Sequence, residues 1–194
     1  MDPLHLRENH GLEDGPREEE EDLRRGHYGK RADGQTEGEA QGIAAESLVA
    51  SMCVLGSDGE LNVATSLVDD EGVDLVFYRS TGGPTLSVQV KSHFYDAPEK
   101  IERRGVNALL NPRVFSARDD LYLLFLVVDQ YEARVQTAWL VPSVEFSNRR
   151  TGKNLRFQAS ADPDSGSPWA HFLVDPLGAR ELAGHIMSVL ARLA

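Results

Sequence analysis

Residues 72–92, GVDLVFYRSTGGPTLSVQVKS, constrain the chain more than any other stretch. Two runs rich in β-branched and aromatic residues, 73–78 and 86–90, flank Ser80-Thr81-Gly82-Gly83-Pro84. Such runs around a Gly-rich turn read as a β-hairpin. With Gly82-Gly83 as a two-residue loop, Thr81 faces Pro84. Counting outward, Asp74 stands opposite Lys91, and Gln89 lies on the diagonal. Opposed side chains are about 5 Å apart and diagonal ones about 7 to 8 Å. Period-two alternation puts Gln89 and Lys91 on one face and turns Leu86, Val88 and Val90 toward a core. Pro84 leaves the turn open by a residue, and a one-residue slip would part the three polar groups.

The flanking segments supply helices and further strands. Residues 39–55 carry Ala45, Leu48, Val49 and Met52 at the spacing of a buried helical stripe, and Gly56 is a stop signal. Glu46 borders that stripe, either as an ordinary boundary glutamate or as a carboxylate aimed at Asp74. Residues 61–68 read as a strand. Asp69-Asp70-Glu71 is too bunched for a calcium loop of the EF-hand kind and reads as a solvated turn, with Asp70 a possible helper of a metal at Asp74. Residues 98–110 read as a helix carrying Ile101, Val106, Leu109 and Leu110, together with Arg103 and Arg104. LYLLFLVV at 121–128 is apolar throughout, as a strand covered on both faces must be. Residues 133–141 and 155–160 read as strands, 142–146 as a helical turn and 169–174 as a short strand. Asp175 caps a last helix with Pro176 at its first position and a stripe of Ala179, Leu182, Ile186, Val189, Leu190 and Leu193. His185 beside that stripe reads as structural. His93 shares strand parity with Gln89 and Lys91, so it either lines the same cleft or is a hydrogen-bonded structural residue.

Charge bounds the partners. The 194 residues carry a net charge of −11. Residues 1–40 hold twelve acidic and six basic side chains and almost nothing apolar. Residues 1–38 are therefore expected to be a disordered acidic tail, and 39–194 one folded domain. An acidic domain does not advertise nonspecific DNA binding, which needs phosphate neutralisation. Asn148-Arg149-Arg150-Thr151-Gly152-Lys153 is the most basic stretch of the folded part. Arg149, Arg150 and Lys153 there are either phosphate contacts or a solvated loop. With sixteen Arg and four Lys in the chain, a lysine at position 91 is suggestive. An ammonium is a compact point charge that a guanidinium does not copy. Cys53, the single cysteine, excludes an internal disulfide and reads as a buried small hydrophobe. With no apolar run of membrane length, a cytoplasmic protein is expected. Walker A, dinucleotide-binding, zinc-type and nucleophile-elbow motifs are absent.

Asp74, then Gln89-Val90-Lys91, resembles the D-x(n)-(E/Q)-x-K signature of the PD-(D/E)XK nuclease superfamily. Gly42-Ile43-Ala44-Ala45-Glu46 is similar to the G-x-A-A-E opening of archaeal Holliday-junction resolvases. GVDLV and VQVKS look closer to Mrr-type restriction endonucleases, in which Gln replaces the usual Glu, and to uncharacterised bacterial members. The resemblance covers roughly residues 41–94. It implies an α/β, restriction-endonuclease-like αβββαβ core, a mixed central sheet flanked by helices. It implies Mg²⁺ or Mn²⁺ as cofactor, DNA as substrate, and a restriction, repair or defence setting. Asp74, Gln89, the Val90 carbonyl and Glu46 would be metal ligands, with Lys91 near the attacking water. Glu46, Asp74, Gln89 and Lys91 would be the catalytic set. Gln89 costs one formal charge at the metal, and a catalytically silent module that binds DNA or a protein is the alternative. A homodimer is compatible with either.

Overall fold

Eight of the nine positions of β5 (Leu121–Asp129) are buried, so the strand needs cover on both faces. It lies between β3 (Thr85–Tyr95), which runs parallel to it, and β6 (Arg134–Pro142), which runs antiparallel. β1 (Leu61–Thr65) and β2 (Leu75–Arg79) complete a five-stranded sheet in the order β1-β2-β3-β5-β6. The computed structural model describes residues 37–66, 72–95, 105–149, 155–175 and 177–194. The acidic tail expected at 1–38 lies outside the described residues except at its last two positions, and the Asp69-Asp70-Glu71 turn lies wholly outside them.

Alternation along β5 divides the core in two. Leu124, Leu126 and Val128 join Leu75, Phe77, Leu86 and Val88 on one sheet face. That face is covered by α1 (Glu37–Gly56) through Ala45, Val49 and Cys53, spaced one turn apart. α3 (Ala179–Leu193) covers the rest with Leu182, Ala183, Ile186, Val189 and Leu190. Gly56 ends α1 where a side chain would strike the Ala179 carbonyl, so the close approach of the two helices depends on a missing Cβ. Arg79 donates through Nη2 to the Met187 carbonyl at 3.1 Å, tying β2 to α3.

The opposite face carries Leu123, Phe125 and Val127 under a second layer. That layer is a two-stranded antiparallel sheet of β4 (Gly105–Leu109) and β7 (Arg156–Ser160), with α2 (Ser143–Arg149) beside it. Phe125 stacks on Phe157 at 3.6 Å, and Trp169 packs on Phe157 at 5.1 Å. The α/β class and the mixed, helix-flanked sheet expected from the sequence are both present.

Three local expectations change. Residues 105–109 are a strand rather than the end of a helix, because Val106 and Leu110 are buried at period two while Leu109 is 67% exposed. The earlier part of that helix, with Ile101, Arg103 and Arg104, lies outside the described residues. At 169–174 a 3₁₀ turn, Ala170–Phe172, takes the place of a strand, and only Leu173 bridges to Trp139. The last helix starts at Ala179 with Gly178 as its cap, so Asp175 does not cap it. Among the described residues no helix is long and apolar enough to cross a membrane.

Candidate active site at the end of the β2–β3 ladder

The hairpin forms, but its register differs from the counted one. Tyr78 pairs with Thr85 and Leu75 with Val88, so the loop holds more than Gly82-Gly83. The paired part ends there, because the Asp74 N–H turns to the same Val88 carbonyl at 3.0 Å instead of extending the ladder to Gln89. The shift is two residues, so side-chain parity survives it. Gln89 pairs with Leu123 and Lys91 with Phe125 across the parallel ladder. Both side chains therefore occupy the sheet face opposite α1 and α3.

The ladder stops where the candidate residues begin. β2 pairs with β3 only as far as Val88, whereas β5 pairs with β3 as far as Tyr95. From Val90 onward, one edge of β3 thus has no β2 partner. The Asp74 N–H still donates to the Val88 carbonyl at 3.0 Å. The next donor on that edge, Val90 N–H, meets the Asp74 side chain: Oδ2 accepts it at 2.6 Å. A short, charge-assisted bond of this kind fixes the carboxylate in the plane of the sheet. In an extended strand the carbonyl of a residue leaves the same edge as its N–H. The Val90 carbonyl accordingly points to the side where the Asp74 carboxylate sits.

Gln89 is 5% exposed. Its Nε2 lies 2.8 Å from where a Cβ on Gly72 would be, and Gly72 has φ +63°. That left-handed conformation and the bare Cα let the amide settle against the backbone just ahead of Asp74. Lys91 is half-buried. Beyond it His93 is exposed and its ring lies 4.6 Å from that of Tyr95, whose hydroxyl donates to the Gly105 carbonyl at 2.8 Å. Partial burial holds the His93 imidazole below its usual pKa, which favours the neutral ring. Sequence reasoning singled out Asp74, Gln89, Val90, Lys91 and His93 but neither Tyr95 nor Gly72. A lone glycine after an acidic run looks like turn punctuation, and only the folded chain shows what rests on it.

Glu46 is placed differently. It is half-buried on α1, at the border of the stripe that packs against Leu75, Phe77, Leu86 and Val88. Its helix thus covers the face opposite Gln89 and Lys91. Arg149 is held inside the protein's own contacts. Its guanidinium lies 5.7 Å from the Trp169 ring and 5.8 Å from Phe172, and Nη1 donates to the Pro168 carbonyl at 3.0 Å. Arg150 and Lys153 lie outside the described residues. Cys53 is fully buried, and burial pushes its thiol up to about 12, as a small core hydrophobe requires. Among the described residues, no cluster of three or more His, Cys, Asp or Glu side chains could hold a metal ion.

No protein-family model matches the chain, and none of the curated proteins does. Among solved structures it is similar to a bacterial homing endonuclease, I-Ssp6803I, with 19% identity and a TM-score of 0.48. The overlap covers 81% of this chain and 99% of that one. At that score the likeness is loose, and the functional reading rests on the side chains described above.

Proposed function

We propose that the protein is a metal-dependent DNA endonuclease whose active site is the notch at Asp74, Gln89, Val90 and Lys91. One observation carries the reading: the Asp74 carboxylate meets β3 at Val90, beyond the last residue that β2 pairs, 2.6 Å from the N–H, with Gln89 and Lys91 on either side in sequence. The oxygens available, one carboxylate, one amide and one main-chain carbonyl, are hard donors of the kind magnesium prefers. A divalent ion there would neutralise charge developing on a phosphodiester and lower the pKa of a bound water. The chain's own groups have separate tasks. Asp74 holds Val90 in place through Oδ2 and brings its carboxylate charge to the notch. Gln89 offers a neutral oxygen, and Gly72 sets where that oxygen lies. Lys91 supplies positive charge beside the scissile phosphate and orients the attacking water. Glu46 would join as a further carboxylate from α1. Arg150 and Lys153 would contact DNA phosphates and offset the acidic net charge locally.

A specific observation favours a second reading. The Asp74 carboxylate replaces a missing strand partner, and Gln89 is buried against Gly72. A site retaining the shape but not the full charge of a nuclease would suit a catalytically inactive module that binds DNA or a protein. Supercoiled plasmid with Mg²⁺ or Mn²⁺ separates the two. Wild type is expected to nick the plasmid, and Asp74→Ala and Lys91→Ala each to lose about 100-fold or more in rate. DNA binding with no metal-dependent product above the variants would leave the binding module standing and remove the nuclease.

A further inference from the structure

A cavity of about 180 Å³ opens on the other side of the sheet, where α3 passes the edge strand β6. One helix face, His185, Ser188, Val189 and Arg192, forms its first wall at the i, i+3, i+4, i+7 spacing of neighbouring side chains. Tyr122 of β5 and Leu140 of β6 form the floor, and His171 and Phe172 of the 3₁₀ turn close the third side. No Asp or Glu lines it, although the chain as a whole carries −11. The basic groups gathered here therefore have no lining carboxylate to answer them.

The donors are held ready. Arg149 lies behind His171, its Nη2 3.3 Å from the imidazole Nε2. A guanidinium can only donate, so Nε2 accepts and the ring proton sits on Nδ1. Arg149 is itself fixed against the Trp169 and Phe172 rings, which fixes His171 in turn. His185 and Arg192 are exposed on α3, and no hydrogen bond joins either side chain to another described residue. The Ser188 hydroxyl is already committed to the Gly184 carbonyl at 2.8 Å, so it does not donate into the cavity. The volume falls below the roughly 300 Å³ at which drug-sized pockets begin, leaving room for one ring and one anionic group.

We propose that this cavity binds a small phosphomonoester, its phosphate met by Arg192, His185 and His171 and its organic body laid against Tyr122, Phe172 and Val189. Arg matches phosphate oxygens in a planar, two-point fashion, which suits it to lead the set. The site is separate from the proposed active site, because Tyr122 and Leu140 belong to the sheet face under α1 and α3 while Gln89 and Lys91 lie on the opposite one.

Isothermal titration of the full chain with phenyl phosphate, inorganic phosphate and phenol tests this. Phenyl phosphate is expected to bind one per chain, more tightly than inorganic phosphate, and phenol not at all. Arg192→Gln and His185→Gln should each weaken phenyl phosphate about tenfold, the loss of one charge-assisted hydrogen bond. Asp74→Asn should leave it unchanged, which keeps the outcome apart from that of the nuclease assay. Equal affinity for inorganic phosphate would remove the ring from the proposal. Saturable binding by neither compound would overturn it. So would an Arg192→Gln variant that is less stable yet binds as before, since Arg192 would then serve only the C-terminal end of α3.

Discussion

The two edges of β3 behave differently, and the difference locates the candidate chemistry. On one edge β5 pairs with it from Ser87 to Tyr95 without interruption. On the other, β2 leaves at Val88 and a side-chain carboxylate takes over at Val90. The paired edge leads into a closed apolar layer in which Phe125, Trp139 and Phe157 are fully buried. The abandoned edge carries the Asp74 carboxylate at Val90, with Gln89 and Lys91 before and after Val90 on the strand. Packing perfects the first region and has little to gain in the second, where a buried amide and a half-buried lysine cost desolvation.

Substitutions on each side should therefore break different things. The largest stability loss belongs to the closed layer. Phe125→Ala removes a ring stacked on Phe157 and should cost about 3 to 5 kcal/mol in denaturant unfolding. A smaller loss would mean the layer collapses around the cavity and is less rigid than its packing implies. Gly72→Ala comes next. A Cβ there meets a strained φ of +63° and presses on Gln89 Nε2, so a loss of about 1 to 2 kcal/mol is expected. Metal-dependent activity should fall by more than that destabilisation explains. Unchanged activity would show that the Gln89 position does not matter to the site.

The smallest effect is at the turn joining β5 to β6. Asp129 accepts from the N–H groups of Glu132 and Tyr131 and from the Gln136 amide. The Glu132 N–H does most to hold its carboxyl below the usual carboxylate range, while burial acts the other way. A carboxyl depressed on folding stabilises the fold above its unfolded pKa and loses that contribution as pH falls through the folded value. Asp129→Asn should therefore lower stability modestly at neutral pH, where the charged form contributes, change little at low pH, and so flatten the acid limb of the stability curve. An unaltered acid limb would assign that loss to other carboxylates.

The sequence carried face but not register. Alternation in LSVQVKS put Gln89 and Lys91 together and away from Leu86, Val88 and Val90, and this held because a two-residue shift preserves parity. The partner of Asp74 came out differently, because Gly-Gly-Pro admits several loops and a two-residue loop is only one of them. The unbroken apolar run of β5 marked its burial on both faces. Residues 105–109 misled because Val106, Leu109 and Leu110 fit a helical stripe as well as a strand, and pairing with β7 decides for the strand. Glu46 was legible as a border residue. Which sheet face its helix would cover was not, since an amphipathic stripe names the core and not the side from which it arrives.

The central claim is that the notch at Asp74 and Val90 holds a divalent cation, and Asp74→Asn tests it directly. The asparagine oxygen can still accept from Val90 N–H, so the ladder's end is kept while the charge is lost. Thermal unfolding of both proteins should be followed across a magnesium titration. Wild type should gain stability with saturation, by about 2.7 kcal/mol at a hundredfold excess over Kd, and the variant should gain none. Equal gains in both, or none in either, would contradict the account.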